Sequence, residues 1–381
     1  MSPIEHIILY SILFVFFYIW GKYNYNAQDE HVFWPMAILP IFLYSFIVGS
    51  RYGWGPDYFG YKYRMENAFT YYEEQVGFRW LNQIINLIGF NYVVGYIIYS
   101  LIFMFGAFIL IRSYHKESKY MYAFLVPAIL IFVNSAIRQG VALSFLLVAI
   151  YFMNKRKWLA VAIFILIGSS IHSVTLLPAI ILLCFLLFIK QPLDWRITIP
   201  LYLFFTFIFD GSKIGFLADY LQYISLDNKF QGYIDKSDLW FSSDAANDIY
   251  EQGTFALIMS SGFYISIIFL GYQALKTKMN QQILFIYNSF VFSVILFRAV
   301  FLYEILRRIA EPIILLYFIL IGYILYIYDF NKVLVASNIE SPDKRKDVIY
   351  RLGIVVILIY ILLFVVRFIF MRPQSRFFWN I

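Results

Sequence analysis

The chain has 381 residues, of which 62% are apolar and only 14% charged, well below the ~25% charged residues of a typical soluble domain. That composition excludes a soluble globular protein. Segments such as Ile4–Trp20 and Ile354–Val366, apolar on every face, exclude the alternating strands of a membrane β-barrel. The formal net charge of +7 comes with no nucleic-acid-binding motif, and it reads as Lys and Arg gathered in cytoplasmic loops; the lone Cys184 excludes a disulfide framework or a cysteine metal site.

The expected architecture is an all-α polytopic membrane protein. Runs long enough to approach ~30 Å of hydrocarbon predict about twelve transmembrane helices, in chain order Ile4–Trp20, Val32–Gly49, Val93–Ile111, Lys119–Val133, Ile137–Met153, Trp158–Ile171, Val174–Ile189, Ile197–Phe209, Phe255–Leu275, Gln281–Val300, Ile309–Tyr328 and Val348–Phe370. The pair between Trp158 and Ile189 is short for two crossings. It forms either a tight hairpin near Ser169–Ser173 or a re-entrant one that carries His172 below the membrane surface. The first helix has no basic start and no small-residue cleavage site, so it reads as a retained helix rather than a signal peptide.

Alternate connections, with Lys22, Arg112–Lys119, Lys155–Lys157, Lys190–Arg196, Lys276–Lys278 and Lys332–Arg351 on the cytoplasmic side, hold slightly more than half of the basic residues. The contrast is sharpest where Lys155-Arg156-Lys157 faces a Ser/His hairpin with no Lys or Arg. On this orientation residues 329–351 form a cytoplasmic loop, and two long segments lie outside. The first, residues 50–91, is Tyr-dense and then carries Phe78, Leu81, Ile84, Ile85 and Ile88 at helical spacing opposite Arg79, Asn82, Gln83 and Asn86, as an interfacial amphipathic helix would. The second, residues 210–253, has eight acidic and three basic residues interleaved with Tyr220, Tyr223, Phe230, Tyr233, Trp240 and Phe241. Aromatic faces beside acids and amides suit either sugar binding or an aromatic belt at headgroup level.

Arginines at external helix ends run against insertion preferences: Arg51, Arg79, Arg138, Arg298, Arg307, Arg308, Arg367, Arg372 and Arg376. Arg grips phosphate through a planar fork and stays charged when partly desolvated, although any one of these side chains can also snorkel or pair with an acid. Arg138 stands out. It opens a helix within Asn134-Ser135-Ala136-Ile137-Arg138-Gln139-Gly140, where helix N–H groups add to its charge. His172 follows an apolar helix, placed for a general base toward a sugar hydroxyl, for a phosphate contact or for a cap. His6, His31 and His115 form no metal constellation with it. In Arg51-Tyr52-Gly53-Trp54-Gly55-Pro56-Asp57-Tyr58 a glycine-rich bend brings a cation and a carboxylate together. Glu73 and Glu74 are further candidates for acceptor binding or proton transfer, or simply a solvated surface. Glu304 and Arg308, four apart, are placed for an ion pair, which leaves Arg307 as the more available cation.

In their order, Arg51…Gly53…Asp57-Tyr58, the Glu-rich stretch ending Gly77-Phe78, Ile137-Arg138-Gln139-Gly140 and Ile171-His172-Ser173 resemble the EpsG-like branch of the Wzy family, the polymerases of bacterial envelope polysaccharide repeats. A looser match at Arg307-Arg308 extends the resemblance into the last third. The resemblance implies a GT-C-like membrane glycosyltransferase of the bacterial plasma membrane. It would work on the external face, without cofactor or metal, moving a growing glycan from polyprenyl pyrophosphate to the non-reducing end of another lipid-linked repeat. Its partners would be that lipid-linked oligosaccharide, membrane lipid and a chain-length regulator protein. The roles carried over are pyrophosphate binding for Arg51, Arg138, Arg307 and Arg308, and sugar contacts for Tyr58, Arg79 and Gln139. His172, Asp57, Glu73 or Glu74 would act in catalysis. A flippase for the same lipid would share the helices and arginines but should show inverted repeats, and none is visible. An O-acyltransferase would share His172, but an acyl-CoA donor would present its phosphates on the cytoplasmic side.

Overall fold

A computed structural model describes residues 3–27, 29–53, 57–71, 75–130, 136–211, 253–336, 344–370 and 376–377. The chain is an all-α polytopic membrane protein. In order, the helices are α1 (Pro3–Asn24), α2 (Glu30–Gly49), α3 (Tyr58–Glu66), α4 (Val76–Leu87), α5 (Tyr92–Arg112), α6 (Met121–Ala128), α7 (Ile137–Asn154), α8 (Trp158–Ile171), α9 (Leu176–Phe188), α10 (Trp195–Phe207), α11 (Thr254–Thr277), α12 (Gln281–Ala299), α13 (Glu304–Ile314), α14 (Tyr317–Ala336) and α15 (Lys344–Phe370). Two two-residue strands, β1 (Arg51–Tyr52) and β2 (Arg376–Phe377), pair antiparallel, with Arg51 opposite Phe377.

Among the described residues, eight helical segments are long and apolar enough to cross a bilayer: Ile4–Asn24, Glu30–Gly49, Tyr92–Arg112, Ile137–Asn154, Thr254–Thr277, Gln281–Ala299, Leu306–Asn331 and Asp347–Arg367. Of the other four expected crossings, three are shorter helices, and the last residues of the fourth, Lys119–Val133, lie outside the described residues. Around Lys119 the chain forms a 3-10 turn (His115–Tyr120) and then the short α6, which contains Pro127. Helices α8, α9 and α10 have 14, 13 and 13 residues, about 20 Å each at 1.5 Å per residue. Helices α14 and α15 extend through Ala336 and from Lys344, so much of the expected 329–351 loop is helical; residues 337–343 lie outside the described residues. The same holds for 212–252, most of the aromatic and acidic segment, and for Glu73 and Glu74.

One end of the bundle is tied by ion pairs between elements, Arg112 to Glu30 at 2.8 Å, Lys119 to Asp329 at 3.0 Å and Lys278 to Glu117 at 3.2 Å. At the other end lie α3 and α4, packed through a separate buried cluster in which Tyr58, Tyr61, Met65, Phe78 and Ile85 meet Tyr96 and Tyr99 of α5, Ile137 and Val141 of α7, and Ile171 of α8.

Helix α4 departs in part from a simple amphipathic reading. Phe78, Asn82 and Ile85 are buried, whereas Trp80, Ile84, Leu87 and Ile88 are exposed. The reason is local hydrogen-bond demand. Asn86 Nδ2 donates to Met65 O, Gln83 Nε2 donates to Ala68 O at 3.1 Å, and Tyr99 Oη donates to Asn82 Oδ1. The polar stripe thus satisfies carbonyls in and just past the last turn of α3, and apolar side chains Ile84, Leu87 and Ile88 point outward, where hydrocarbon can cover them. Close approach fixes the rest. A Cβ on Gly77 would stand 2.3 Å from Ser170 Oγ and 2.9 Å from its backbone, so only glycine lets α4 rest on the α8–α9 hairpin.

Candidate functional site

A cavity of about 330 Å³ opens at the α3–α4 end of the bundle, where four separate chain segments converge. Helix α3 supplies Asp57, Gly60, Tyr61 and Arg64. Positions 57, 61 and 64 lie on one helical face. Asp57 stands at the N-cap position, yet its carboxylate makes no capping hydrogen bond and is exposed. The Arg64 guanidinium lies over the rings of Tyr61 and Tyr71, at 5.5 and 5.6 Å from their centroids. From the start of α7 come Arg138 and Gln139, with Ala136 before them. His172 enters from the α8–α9 hairpin, and Arg308 and Glu311, three apart on α13, close the far side.

Polar atoms are left without partners here. His172 Nδ1 and Gln139 Nε2, on residues only 7% exposed, and Arg138 Nε are buried with no hydrogen-bond partner. Buried polar groups are normally paired, since an unmade hydrogen bond costs about 1–3 kcal/mol, and these three atoms are available to a polar ligand in the cavity. Burial, with Arg138 and Arg308 close by, pushes the His172 imidazole down to about 3, and it is neutral at physiological pH. Arg64, Arg138 and Arg308 against Asp57 and Glu311 give the lining a cationic excess suited to a multiply charged anion.

Of the residues singled out in the sequence, Asp57, Arg138, Gln139, His172 and Arg308 come together on this cavity, although they arise from distant parts of the chain. Arg51 lies elsewhere. It is 1% exposed, donates from Nη1 to Val48 O at 2.7 Å and lies over the Tyr96 ring at 5.0 Å. Tyr58 is buried against Tyr96 with centroids 4.8 Å apart, and Tyr96 Oη donates to Tyr58 O at 2.6 Å. Arg307 is buried with its guanidinium 5.4 Å from the Phe301 centroid, and Arg79, half-buried on α4, is not in the lining. The Glu304 side chain lies outside the described residues. Arg298 joins three helices, donating to Ser260 Oγ at 2.7 Å and Tyr202 Oη at 3.2 Å. Gly60, Tyr61, Arg64 and Glu311 are lining residues that sequence reasoning missed. The available signals were the 57–61–64 spacing and the position of Glu311 one turn after Arg308.

The fold and this cavity define a polytopic α-helical membrane protein with a polar, arginine-bearing site at one end of its bundle. Residues 31–379 match the EpsG family model, and the chain belongs to the EpsG family, whose function is broadly that of a polysaccharide polymerase. No curated protein and no solved structure matches it.

Proposed function

We propose that the protein is a membrane glycosyltransferase that polymerises lipid-linked repeat units. It takes a glycan from polyprenyl pyrophosphate and joins it to the non-reducing end of a second lipid-linked repeat, on the external face of the plasma membrane. The observation that carries this reading is the convergence of Arg64, Arg138 and Arg308 with Asp57, Glu311 and His172, whose Nδ1 makes no hydrogen bond, on one cavity. Family membership supports the polymerase class.

In the proposed reaction an acceptor hydroxyl oxygen bonds to the anomeric carbon of the donor glycan while the bond from that carbon to the pyrophosphate oxygen breaks. The electron pair leaves with the pyrophosphate. Arg138 and Arg308, assisted by Arg64, stabilise the charge that develops there, a preorganised role that requires no metal ion. The acceptor proton passes to His172. The empty site holds this imidazole far below neutrality, partly through the two neighbouring guanidinium groups. A bound pyrophosphate offsets those charges and makes the imidazole a stronger base only when the donor is present. Asp57 and Glu311 orient the acceptor through its hydroxyls, and Tyr61 and Gln139 complete the sugar contacts.

The test is reconstitution of the purified protein in liposomes with lipid-pyrophosphate-linked repeats, the products being resolved by size. A ladder of longer glycans that Arg138→Ala abolishes supports the reading. A folded wild type that yields no ladder with the cognate repeat overturns it.

A further inference from the structure

A second and larger cavity, about 560 Å³, lies at the opposite end of the same helices. Helix α7 carries Arg138 at its start and Met153, which lines this second cavity, near its end, about 22 Å further along the axis. Helix α8 likewise runs from Trp158 in the second cavity to the hairpin that bears His172. The walls are largely apolar, with Leu187 and Ile189 from the end of α9 facing Leu284 and Phe285 of α12. At the rim stand Arg156 and Lys190, and no Asp or Glu is among the lining residues described. Lys155 and Lys157 flank Arg156 in the sequence, and Lys190 Nζ reaches back to Leu186 O.

Two observations bear on the occupant. Helices α8 and α9 are about 20 Å long, shorter than a ~30 Å hydrocarbon layer, which leaves apolar depth for a lipid to fill beside their ends. An apolar hollow under a cationic rim is also complementary to a molecule with acyl chains and a negatively charged headgroup. We propose that this cavity is a binding site for an anionic phospholipid, with its phosphate between Arg156 and Lys190 and an acyl chain along the α9–α12 wall. This proposal goes beyond the proposed polymerase activity and does not depend on it.

Trp158, in the lining, provides the test. The full-length protein is reconstituted in phosphatidylcholine with increasing shares of brominated phosphatidylglycerol or brominated phosphatidylcholine. Quenching of Trp158 is isolated as the difference from Trp158→Phe. The expected result is half-maximal quenching at an about tenfold lower share of the anionic lipid, a preference that falls below about twofold in the double variant Arg156→Asn/Lys190→Gln. Both substituted side chains are exposed, and asparagine tolerates the left-handed backbone of Arg156 (φ 55°), so this variant should keep its fold. Equal quenching by the two lipids overturns the proposal, as does a preference that survives the double substitution. Relief of quenching by traces of polyprenyl phosphate, but not by unbrominated phosphatidylglycerol, overturns it in favour of the carrier lipid.

Discussion

Gln75 and Ser173, 98 positions apart, exchange two hydrogen bonds: Gln75 Nε2 donates to Ser173 Oγ at 2.8 Å and Ser173 N donates to Gln75 Oε1 at 3.1 Å. This amide clasp fastens the entry to α4 onto the residue that follows His172. Gln75→Ala is expected to slow chain elongation about tenfold, because small displacements of a reacting group are costly, with little change in thermal stability. Gln75→Glu retains acceptors for both Ser173 donors and should recover most of the rate. Single-turnover elongation by the two variants is the check, and equal loss in both would argue against a positioning role.

Under the proposed function Arg138 binds the substrate whereas Arg51 is structural. Arg138→Ala should reduce polymerisation about 10²- to 10³-fold in a protein that still purifies and melts normally. Arg138→Lys should recover only part of that loss, because an ammonium cannot reproduce the bidentate fork. Arg51→Ala removes a buried bond to Val48 O and the stacking on Tyr96, and should instead lower stability by about 2 kcal/mol. Melting curves measured beside glycan ladders resolve the two outcomes.

The neutral His172 makes stability depend on pH in one direction. Its folded value, about 3, lies below the ordinary ~6.5. The unfolded chain therefore takes up a proton first as the pH drops, so the contribution is fully present above about 6.5 and is lost progressively toward about 3. Melting temperature in detergent should decline over this window more steeply for the wild type than for His172→Asn. Superimposable pH profiles would remove the burial argument.

Gly60 lines the first cavity, and a Cβ built there meets nothing within 4 Å. Gly60→Trp should therefore project an indole into the first cavity from an unobstructed Cβ, and under the proposed function it is expected to abolish elongation while leaving the melting temperature within a degree or two of wild type. Glycine in a helix interior is itself unfavourable, which offsets any cost of the larger side chain. Gly77→Ala is the contrasting case, because its Cβ would collide with the Ser170 backbone; that variant should lose both stability and activity.

Composition alone specified a helical membrane protein, because nothing else buries so many apolar residues with so few charges. The long spans were readable for the same reason. The candidate site was legible where a charged or titratable residue bounded an apolar run, as at Arg138 and His172, since such residues are costly near the membrane; at α13 the i,i+4 spacing favoured Arg307 as the available cation, whereas Arg308 is the one that lines the cavity. It was illegible where tertiary contacts decide. Nothing local distinguishes Arg51, locked over Tyr96, from Arg64, whose stacked guanidinium lines the cavity. The outward face of α4 likewise depended on the Met65 and Ala68 carbonyls, in and just past the last turn of α3, that only the folded chain brings near.

The antiparallel pairing of residues 51–52 with 376–377 bears on how the membrane orientation should be mapped. Serial truncation with a C-terminal reporter deletes the strand that pairs beside Arg51, so each truncated fusion would report on a chain with its closing contact removed. Labelling the intact chain avoids this. Cys184 is its sole cysteine and lies exposed on α9, so one substitution there yields a thiol-free background into which single cysteines can be placed at either end of the bundle.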